Sequence, residues 1–508
     1  MALTEFSQDH SDAAMTKTCA MNTLFRSLAG GAPALACCLG MQAASEPAPA
    51  TMFRYTPAHG AALAGESVEL GPLAWRFATG GEVRSTPAVA EGLAVFGSND
   101  GFLYAVELKT GAARWKANLG GPVTSSPAIA RGMVVVMGRD GRLQARRLRD
   151  GSPVWNYATG PDVPLGDDPR TFDLWDSSPT VGEAAVYVGG GDGKVHAVDL
   201  ETGELRWSHA TGSRVRSSPA VGDGTVYVGS FDGCIYALDA ATGTERWKYQ
   251  TGDVVQSSPA LEDGLVFAGT RAEALLALEA KTGALKWRRP HSGSWVLASP
   301  AVAQGRVIVG GSDSHLLEAV EARTGALIWS TPTGARMLGS PTVVGGAVVY
   351  GAEDFRVYTV DLASGLGWSM EFTEGAIYSS VVPAGGVVLA GSDDHHLYAF
   401  KAQPMAPAED QAAAELLRAM EGCYRTESGE EYTLAIRRGR LGVAFCTYPP
   451  ALAVVHPDGS FAWPMLWGTT GRCQNAAERP VAALILSQFG SQTAARRIPE
   501  PRPPEAGR

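Results

Sequence analysis

The sequence predicts an all-β fold, an eight-bladed β-propeller with four-stranded blades followed by a small antiparallel β domain. Three observations predict it. Tryptophans recur at intervals of 40, 40, 52, 40, 40, 42 and 39 residues, and a Ser-Pro marker recurs in step with them. The segments between turns are short and rich in Val, Tyr and Leu, as expected of several strands per repeat. Finally, 61 glycines and only 19% charged residues favour strands and turns over helix.

Each repeat unit carries one Ser-Pro marker and one tryptophan. The markers are "STPAV" at residue 85, "SSPAI" at 125, "SSPTV" at 177, "SSPAV" at 217, "SSPAL" at 257, "ASPAV" at 298, "GSPTV" at 339 and a degenerate "SSVVP" at 379. The tryptophans are Trp75, Trp115, Trp155, Trp207, Trp247, Trp287, Trp329 and Trp368. A large aromatic at one fixed place per unit suits packing between blades. We therefore interpret all eight as structural docking residues rather than ligand-stacking residues.

The fourth unit shows the plan of a blade. Strand A is expected at "SSPAV", strand B at "TVYVGS", strand C at "CIYALDA" and strand D around "ERWKYQT". Asp232-Gly233 lies between B and C, and Thr242-Gly243 lies between C and D. Such pairs supply the positive φ angles that tight hairpins need. Apolar runs such as Val226-Tyr227-Val228 indicate strands that are buried on both faces.

The two ends of the repeat region predict how the ring closes. Unit eight stops at "HLYAF", residues 396–400, and no tryptophan strand follows it. "LAWRFAT", residues 73–79, precedes the first Ser-Pro marker without a blade of its own. The N-terminal segment is therefore predicted to supply the outer strand of the last blade. Removal of residues up to Gly80 should open the ring.

Composition shifts predict the boundaries along the chain. We assign residues 1–45 to a leader with a signal sequence, 46–72 to a linker, 73–401 to the propeller, 402–420 to a linker with a short helix, 421–492 to the small β domain and 493–508 to a disordered tail. The leader has one Arg, a short apolar stretch and then small residues, which indicates export to the periplasm or cell envelope, with outer-membrane association as a further option. Lipidation of Cys37 is an alternative to plain signal cleavage.

Charge and cysteine usage narrow the function classes. A net charge of −10 without a long Lys/Arg run argues against nucleic-acid binding. No apolar run reaches the roughly 18 residues that a membrane span needs. The seven cysteines include no C-x-x-C pair, which argues against a zinc ribbon or a thioredoxin-type site. A disulfide can form among Cys423, Cys446 and Cys473, and the spacing leaves its pairing open.

The run "LYALDAxTGxxxW" after "SSPAV" resembles the pyrroloquinoline-quinone (PQQ)-like repeat family of β-propellers over residues 73–400. The resemblance implies the propeller fold, and it covers two functional classes. One is the quinoprotein dehydrogenases. The other is the non-catalytic propellers, such as the propeller lipoprotein of the outer-membrane β-barrel assembly machinery. The repeats of this chain resemble those of that lipoprotein more than those of the dehydrogenases. The C-terminal part resembles small β domains appended to bacterial serine hydrolases, without implying their activity.

For an enzyme, the resemblance implies a vicinal Cys-Cys disulfide, a calcium site made by Glu, Asn and Asp, and a catalytic Asp. Here the only Cys-Cys pair, Cys37-Cys38, lies in the leader, and Cys234 is alone in the blades. The near-constant repeat spacing also leaves little room for insertions. No catalytic, cofactor-binding or metal residue is therefore assigned. This favours a non-enzymatic protein without a cofactor, although the question of activity stays open.

Propeller geometry predicts a candidate binding face at one mouth of the channel. The residues before the markers should form a ring, which comprises Arg84, Thr124, Asp176, Arg216, Gln256, Leu297, Leu338 and Tyr378. A twelve-residue insertion ends in Trp175, and Trp295 lies in another longer connection on this face. Exposed aromatics beside arginines are typical of protein-binding hot spots. The candidate residues are Arg84, Asp176, Arg216, Gln256, Arg336, Tyr378, Trp175 and Trp295, and the alternative is a water-filled channel.

These observations lead to one leading hypothesis and two alternatives. The leading hypothesis is an exported, non-enzymatic propeller that acts as a scaffold for unidentified protein partners. The first alternative is a PQQ-dependent oxidoreductase, which would need the quinone and calcium. The second is a sensor propeller that binds a small ligand in its channel.

Overall fold

The computed structural model describes residues 51–164, 173–291 and 293–404, together with strands between residues 422 and 498. Within residues 51–404, the described chain forms eight four-stranded antiparallel sheets joined by turns, without a helix. The prediction of an all-β, eight-bladed propeller is confirmed. No helix among the described residues is long and apolar enough to cross a membrane.

The strands are labelled A to D from the channel outwards, and the blades are numbered 1 to 8. The A strands are Ala88–Ala90, Ala128–Ala130, Thr180–Val181, Ala220–Gly222, Ala260–Glu262, Ala301–Ala303, Thr342–Val344 and Val382–Ala384. The B strands are Leu93–Gly97, Met133–Gly138, Ala185–Gly189, Thr225–Gly229, Leu265–Thr270, Arg306–Gly310, Ala347–Gly351 and Val387–Ser392. The C strands are Phe102–Glu107, Arg142–Arg147, Lys194–Asp199, Cys234–Asp239, Ala274–Glu279, Leu316–Glu321, Arg356–Asp361 and His396–Pro404. The D strands are Ala113–Asn118, Pro153–Ala158, Leu205–Ala210, Glu245–Gln250, Leu285–Pro290, Leu327–Pro332, Gly367–Phe372 and, for blade 8, Val68–Ala78.

Blade 4 follows the plan that its sequence predicts, with one difference. Strand A begins only at Ala220, after the Ser-Ser-Pro marker, because the marker residues turn their polar groups towards neighbouring blades. Val226, Tyr227 and Val228 are all buried, as expected for a strand that packs between two other sheets. Gly233 and Gly243 have φ angles of 83° and 72°, which favour glycine at both turns.

The ring closes through the N-terminal strand. Val68–Ala78 pairs antiparallel with strand C of blade 8, from Val68 opposite Pro404 to Ala78 opposite His396. Blade 8 is therefore built from both ends of the repeat region, which joins its last and first units without a free edge.

Seven of the eight docking tryptophans make the same joint. In each, the indole lies against the Thr-Gly or equivalent turn of the next blade and donates a hydrogen bond to a backbone carbonyl there, as Trp207 does to Ala240 at 3.0 Å. Trp75 makes this joint from blade 8 to blade 1, with Leu108 as acceptor. Trp368 differs. It is buried, but its Nε1 has no hydrogen-bond partner among the described residues, since the last blade lacks the continuous C-to-D turn on which a tryptophan would dock.

The Ser-Pro markers form a second set of joints, which we call the hydroxyl ring. The second marker residue of each blade donates its backbone N–H to the hydroxyl of the same residue in the next blade, at 2.9–3.2 Å. The ring ends with Ser380 donating to Thr86 Oγ1 at 3.1 Å. Its members are Thr86, Ser126, Ser178, Ser218, Ser258, Ser299, Ser340 and Ser380. The marker is therefore explained as a contact between blades.

Residues 51–63, placed by the sequence in a linker, lie inside the ring, and we call them the channel segment. Ala62–Leu63 pairs parallel with the inner strand Thr342–Val344 of blade 7. Other carbonyls of the segment accept hydrogen bonds from the A strands of blades 2, 4, 5 and 6. Only a chain inside the ring can reach so many inner strands. The segment therefore occupies the channel at the end opposite the ring of residues that precede the markers.

The C-terminal strands pair in chain order. They are Gly422–Thr426, Glu431–Arg437, Arg440–Ala444, Ala451–Val455, Ser460–Ala462, Thr470–Gln474, Ala483–Gln488 and Ser491–Ile498. Each pairs antiparallel with the next, and the last pairs with the first, which is the connectivity of an up-and-down barrel. The last strand passes the predicted boundary at 492, so the predicted tail begins inside a strand. The predicted leader lies outside the described residues, as does the predicted linker with a short helix, 402–420, beyond residue 404. A separate small domain stays a prediction.

Candidate functional site

The structure brings the eight residues that precede the markers around one cavity in the channel. Its walls include all eight of them together with the hydroxyl ring, and Phe53 of the channel segment also lines it. The cavity holds about 70 Å³. Because a water molecule in the liquid takes about 30 Å³, there is room for only a few waters.

The insertion before blade 3 is fastened to the mouth by ion pairs. Arg216 contacts three carboxylates, with Asp173 at 2.8 Å, Asp176 at 3.0 Å and Asp162 at 2.6 Å. Arg214 also binds Asp173, at 2.6 Å. These arginines and aspartates therefore neutralise one another within the face. Their ion pairs hold the described ends of the insertion against blades 3 and 4.

The surroundings of these carboxylates shift their pKa values in opposite directions. Burial acts to raise the pKa of Asp173, but its hydrogen bonds and ion pairs with Arg216, Arg139 and Arg214 outweigh burial and lower it. Burial raises the pKa of Asp176 despite the charges of Arg216 and Arg139. The Arg216 pKa is raised because its three carboxylates outweigh the desolvation of the guanidinium. Asp173 is thus the carboxylate whose ionised form the fold stabilises.

A second polar cluster lies at the junction of blades 8 and 1. Arg84 binds both carboxylate oxygens of Asp393, at 3.0 and 2.7 Å, and lies 5.2 Å from the ring centre of Tyr378. The Tyr378 hydroxyl donates to Glu353 at 3.0 Å. Burial, followed by the charge of Glu353, raises the pKa of Tyr378 to about 12. This hydroxyl is therefore held as a neutral hydrogen-bond donor.

The expectation that Trp175 and Trp295 are exposed is wrong, because both are half-buried. Trp175 folds over the channel mouth and meets the Tyr378 ring edge to face, with centroids 6.2 Å apart. Trp295 is covered by Arg271, 4.9 Å from its ring centre, and Gln256 accepts a hydrogen bond from Arg271 at 2.8 Å. Arg336 lies outside the cavity and pairs with Asp313 at 3.4 Å.

One set of residues on this face was not identified from the sequence. In every blade, one residue of the B-to-C turn has positive φ. The backbone carbonyl of this residue accepts a hydrogen bond from the backbone N–H of the residue that follows a strand D. In blades 1 to 4 this residue is Gly101, Gly141, Gly193 or Gly233. In blades 5 to 8 it is Glu273, His315, Phe355 or His395, all exposed. The signal in the sequence was the loss of glycine from the Asp-Gly turn in consecutive units.

PQQ with calcium does not fit the channel. Small-molecule pockets usually enclose about 300–1,000 Å³, several times the 70 Å³ available between the ring and Phe53. The two arginines that line the cavity, Arg84 and Arg216, are already paired with carboxylates. Among the residues that the structure describes, no group of three or more His, Cys, Asp or Glu side chains is arranged to hold a metal ion. The space between the ring and Phe53 is therefore small for a quinone.

Comparison with known proteins places the chain in a family. A family profile described as "Beta-alanine-activating enzyme, beta-propeller" matches residues 175–437, more than half of the 508-residue chain. The chain belongs to this β-propeller family. A second profile, "Outer membrane protein assembly factor BamB", matches residues 66–214. Together with the fold, these matches confirm the prediction of PQQ-like repeats. No curated protein sequence matches the chain.

Solved structures share the fold at low sequence identity. BamB from Moraxella catarrhalis is 20% identical with a TM-score of 0.55, and the match covers 66% of this chain and 98% of that one. A europium-containing methanol dehydrogenase is 14% identical with a TM-score of 0.59, covering 70% and 98%. Quinohemoprotein alcohol dehydrogenase from Comamonas testosteroni is 16% identical with a TM-score of 0.58, covering 73% and 84%. At these identities the likeness concerns the fold alone, and it includes both an assembly factor and dehydrogenases.

Proposed function

We propose that the protein is a non-enzymatic, exported scaffold that binds a protein partner on the channel-mouth face, centred on blades 5 to 8. The observation that carries the proposal is the set of exposed side chains at the positive-φ turn positions of those blades. The assembly-factor profile and the BamB fold support the same class of function and an outer-membrane association.

The turns of blades 5 to 8 carry a backbone cost that glycine would avoid. The left-handed conformation costs a non-glycine residue about 1–2 kcal/mol, and blades 1 to 4 make the same turn with glycine. His315, Phe355 and His395 have φ values of 52°, 68° and 71°. Phe355 is 47% exposed, so nearly half of its surface is open to solvent instead of supporting the core. Strain of this kind without a folding benefit points to a function for the side chains.

The remainder of the face supplies a rigid setting for contact. Tyr378 joins two groups of this face: Arg84 lies over its ring in a cation–π contact, and Trp175 meets the same ring edge to face. Rigid aromatic and arginine groups bind proteins with little loss of side-chain freedom. Glu273 has a second role, since its carboxylate accepts the backbone N–H of Gly293 at 2.8 Å. It is therefore left out of the test below.

The test is a triple variant, His315→Gly, Phe355→Gly and His395→Gly, compared with the native protein by quantitative crosslinking in an envelope extract. We expect the variant to melt at the native temperature or above it and to lose the crosslinked partner. Leu285→Ser is the matched control, because Leu285 is 43% exposed on an outer strand, away from the mouth. If the triple variant keeps the partner, or if it unfolds, the proposal is wrong.

The oxidoreductase alternative has support from its fold neighbours, and the small cavity stands against it. Incubation with PQQ and calcium distinguishes the two functions. We expect no retained chromophore after gel filtration and no dye reduction with alcohols, and clear turnover would replace the scaffold hypothesis.

A further inference from the structure

The channel segment contacts the inner strands in the way that a bound peptide would. Its carbonyls at Thr51, Pro57, Ala58, Gly60 and Ala61 accept hydrogen bonds of 2.6–2.9 Å from the inner strands. The donors are the backbone N–H groups of Ile129, Val221, Leu261, Val302 and Val343. Main-chain bonds to a sheet edge give affinity in peptide recognition by strand addition. The inner edges of five blades therefore act together as a binding groove.

Side chains of the segment supply specific contacts. Arg54 is 3% exposed and donates to the carbonyls of Pro341 and Pro300. The Tyr55 hydroxyl lies 3.2 Å from Thr342 Oγ1. His59 is fully buried, with Nε2 3.0 Å from Thr180 Oγ1. Three separate side chains are thus recognised on blades 3, 6 and 7.

Some features of the docked channel segment are energetically unfavourable. Arg54, Tyr55, His59 and Ala61 have positive φ angles of 60°, 69°, 58° and 51°. Arg54 Nε has no hydrogen-bond partner among the described residues, and burial lowers the Arg54 pKa to about 9. The docked state therefore combines many contacts with local strain, which allows competition from another peptide.

The connection to the propeller permits exchange without opening the ring. Ala64, Gly65 and Glu66 are exposed and link the segment to the closing strand Val68–Ala78. That strand keeps its own pairing with His396–Pro404. Release of the segment would therefore leave all eight blades complete.

We propose that the inner strands of the propeller form a peptide-binding groove, that residues 51–63 occupy it as a ligand of the same chain, and that a separate peptide of this sequence can replace them. The ligand class is a peptide that turns at Arg-Tyr and carries His and small residues after the turn. This site lies at the other end of the channel from the proposed partner-binding face, and it does not depend on that function.

The test uses the full chain with a protease site inserted between Ala64 and Gly65. After folding, the site is cleaved, and a fluorescent peptide of residues 51–64 is added in excess. We expect the cleaved fragment to co-elute with the propeller at first and then to be exchanged for the labelled peptide. Peptides with Arg54→Ala or Tyr55→Ala should bind at least tenfold more weakly. Thr56→Ala is the matched control, since Thr56 is exposed, and it should bind like the native peptide.

Either of two outcomes would overturn the proposal. In the first, the fragment leaves on cleavage and the labelled peptide does not bind. In the second, the fragment stays and does not exchange, which would make it a permanent part of the fold. A native circular dichroism spectrum before and after cleavage shows that the propeller itself is intact in each case.

A pH series gives an independent readout of the His59 contact. His59 faces Thr180, the edge of the Phe53 ring, the backbone at Pro259 and the positive charge of Arg54, and no carboxylate is paired with it within the described residues. Burial, then the Arg54 charge, lowers the His59 pKa to about 3, against an ordinary value near 6.5. The free peptide therefore gains a proton that the bound peptide does not.

Acid should consequently weaken binding of the native peptide. Between pH 8 and pH 5 we expect a roughly 30-fold rise in its dissociation constant. A His59→Asn peptide should show no such rise. A pH-independent native peptide would contradict the placement of His59 in the groove.

Discussion

Two glycines of blade 5 allow the docking contact between blades to be measured separately from backbone strain. Gly283 and Gly264 both have φ of +74°. A methyl group at Gly283 would lie 2.7 Å from the Trp247 ring, whereas one at Gly264 would meet nothing within 4 Å. Gly264→Ala is thus a matched control for Gly283→Ala, because the two changes share the same conformational cost and differ in the clash.

The expected magnitudes follow from these two terms. An alanine in the left-handed conformation costs about 1–2 kcal/mol, and the stiffer unfolded chain returns about 0.4–1 kcal/mol of it. Gly264→Ala should therefore lower the free energy of unfolding by about 1 kcal/mol. Gly283→Ala adds the overpacking of a filled joint, about 1–3 kcal/mol, for a total of about 2–4 kcal/mol.

Urea unfolding followed by tryptophan fluorescence, with circular dichroism as a second probe, measures both variants. A double variant, Gly283→Ala with Trp247→Ala, should recover part of the loss, because the methyl group then has space. Equal destabilisation by Gly283→Ala and Gly264→Ala would refute the docking interpretation. The same would follow if the two changes in the double variant were simply additive.

Three further predictions concern closure, the hydroxyl ring and the insertion. Removal of residues up to Gly80 should abolish the cooperative thermal melt, since strand D of blade 8 is lost; a melt like that of the full chain would contradict closure by this strand. Ser218→Ala should cost about 1–3 kcal/mol by leaving the buried Ser178 N–H without its acceptor. Ser218→Thr should be close to native by the same urea assay, because Thr86 fills this place in blade 1. Asp173→Asn should destabilise the protein at neutral pH, because the pKa of Asp173 is lower in the folded protein than in the unfolded chain. The stabilisation by ionised Asp173 is present above the unfolded pKa, near 3.9, and is lost as pH falls through the folded pKa. A difference in melting temperature from the native protein that persists unchanged below about pH 3 would contradict this assignment.

The ring of residues at the mouth shows how far sequence periodicity can lead. Their shared position before each marker grouped Arg84, Tyr378 and their six counterparts, and all eight line one cavity in the structure. Periodicity did not reveal that Trp175 folds inwards or that Arg271 covers Trp295. The two tryptophans lie in irregular connections between blades, where no repeat fixes the rotamer or the neighbour.

The positive-φ turn positions show the reverse case. The absence of glycine at His315, Phe355 and His395 was visible in the sequence, but its meaning depended on the backbone. Only the φ angles and the shared hydrogen bond show that these residues occupy the same place as Gly101 and its equivalents. A substitution inside a repeat becomes informative once the conformation at that place is known.

The sequence by itself determined the number of blades, their strands and the closure of the ring, because a period near 40 residues with fixed turn and aromatic positions has one compact solution. Only the tertiary structure decided what fills the channel. Residues 51–63 have no repeat pattern, and their partners lie up to several hundred residues away, as with Arg54 and Pro341. Their conformation is set by the backbone N–H groups that the inner strands point towards the axis of the closed ring. These N–H groups form a groove only after all the blades have assembled.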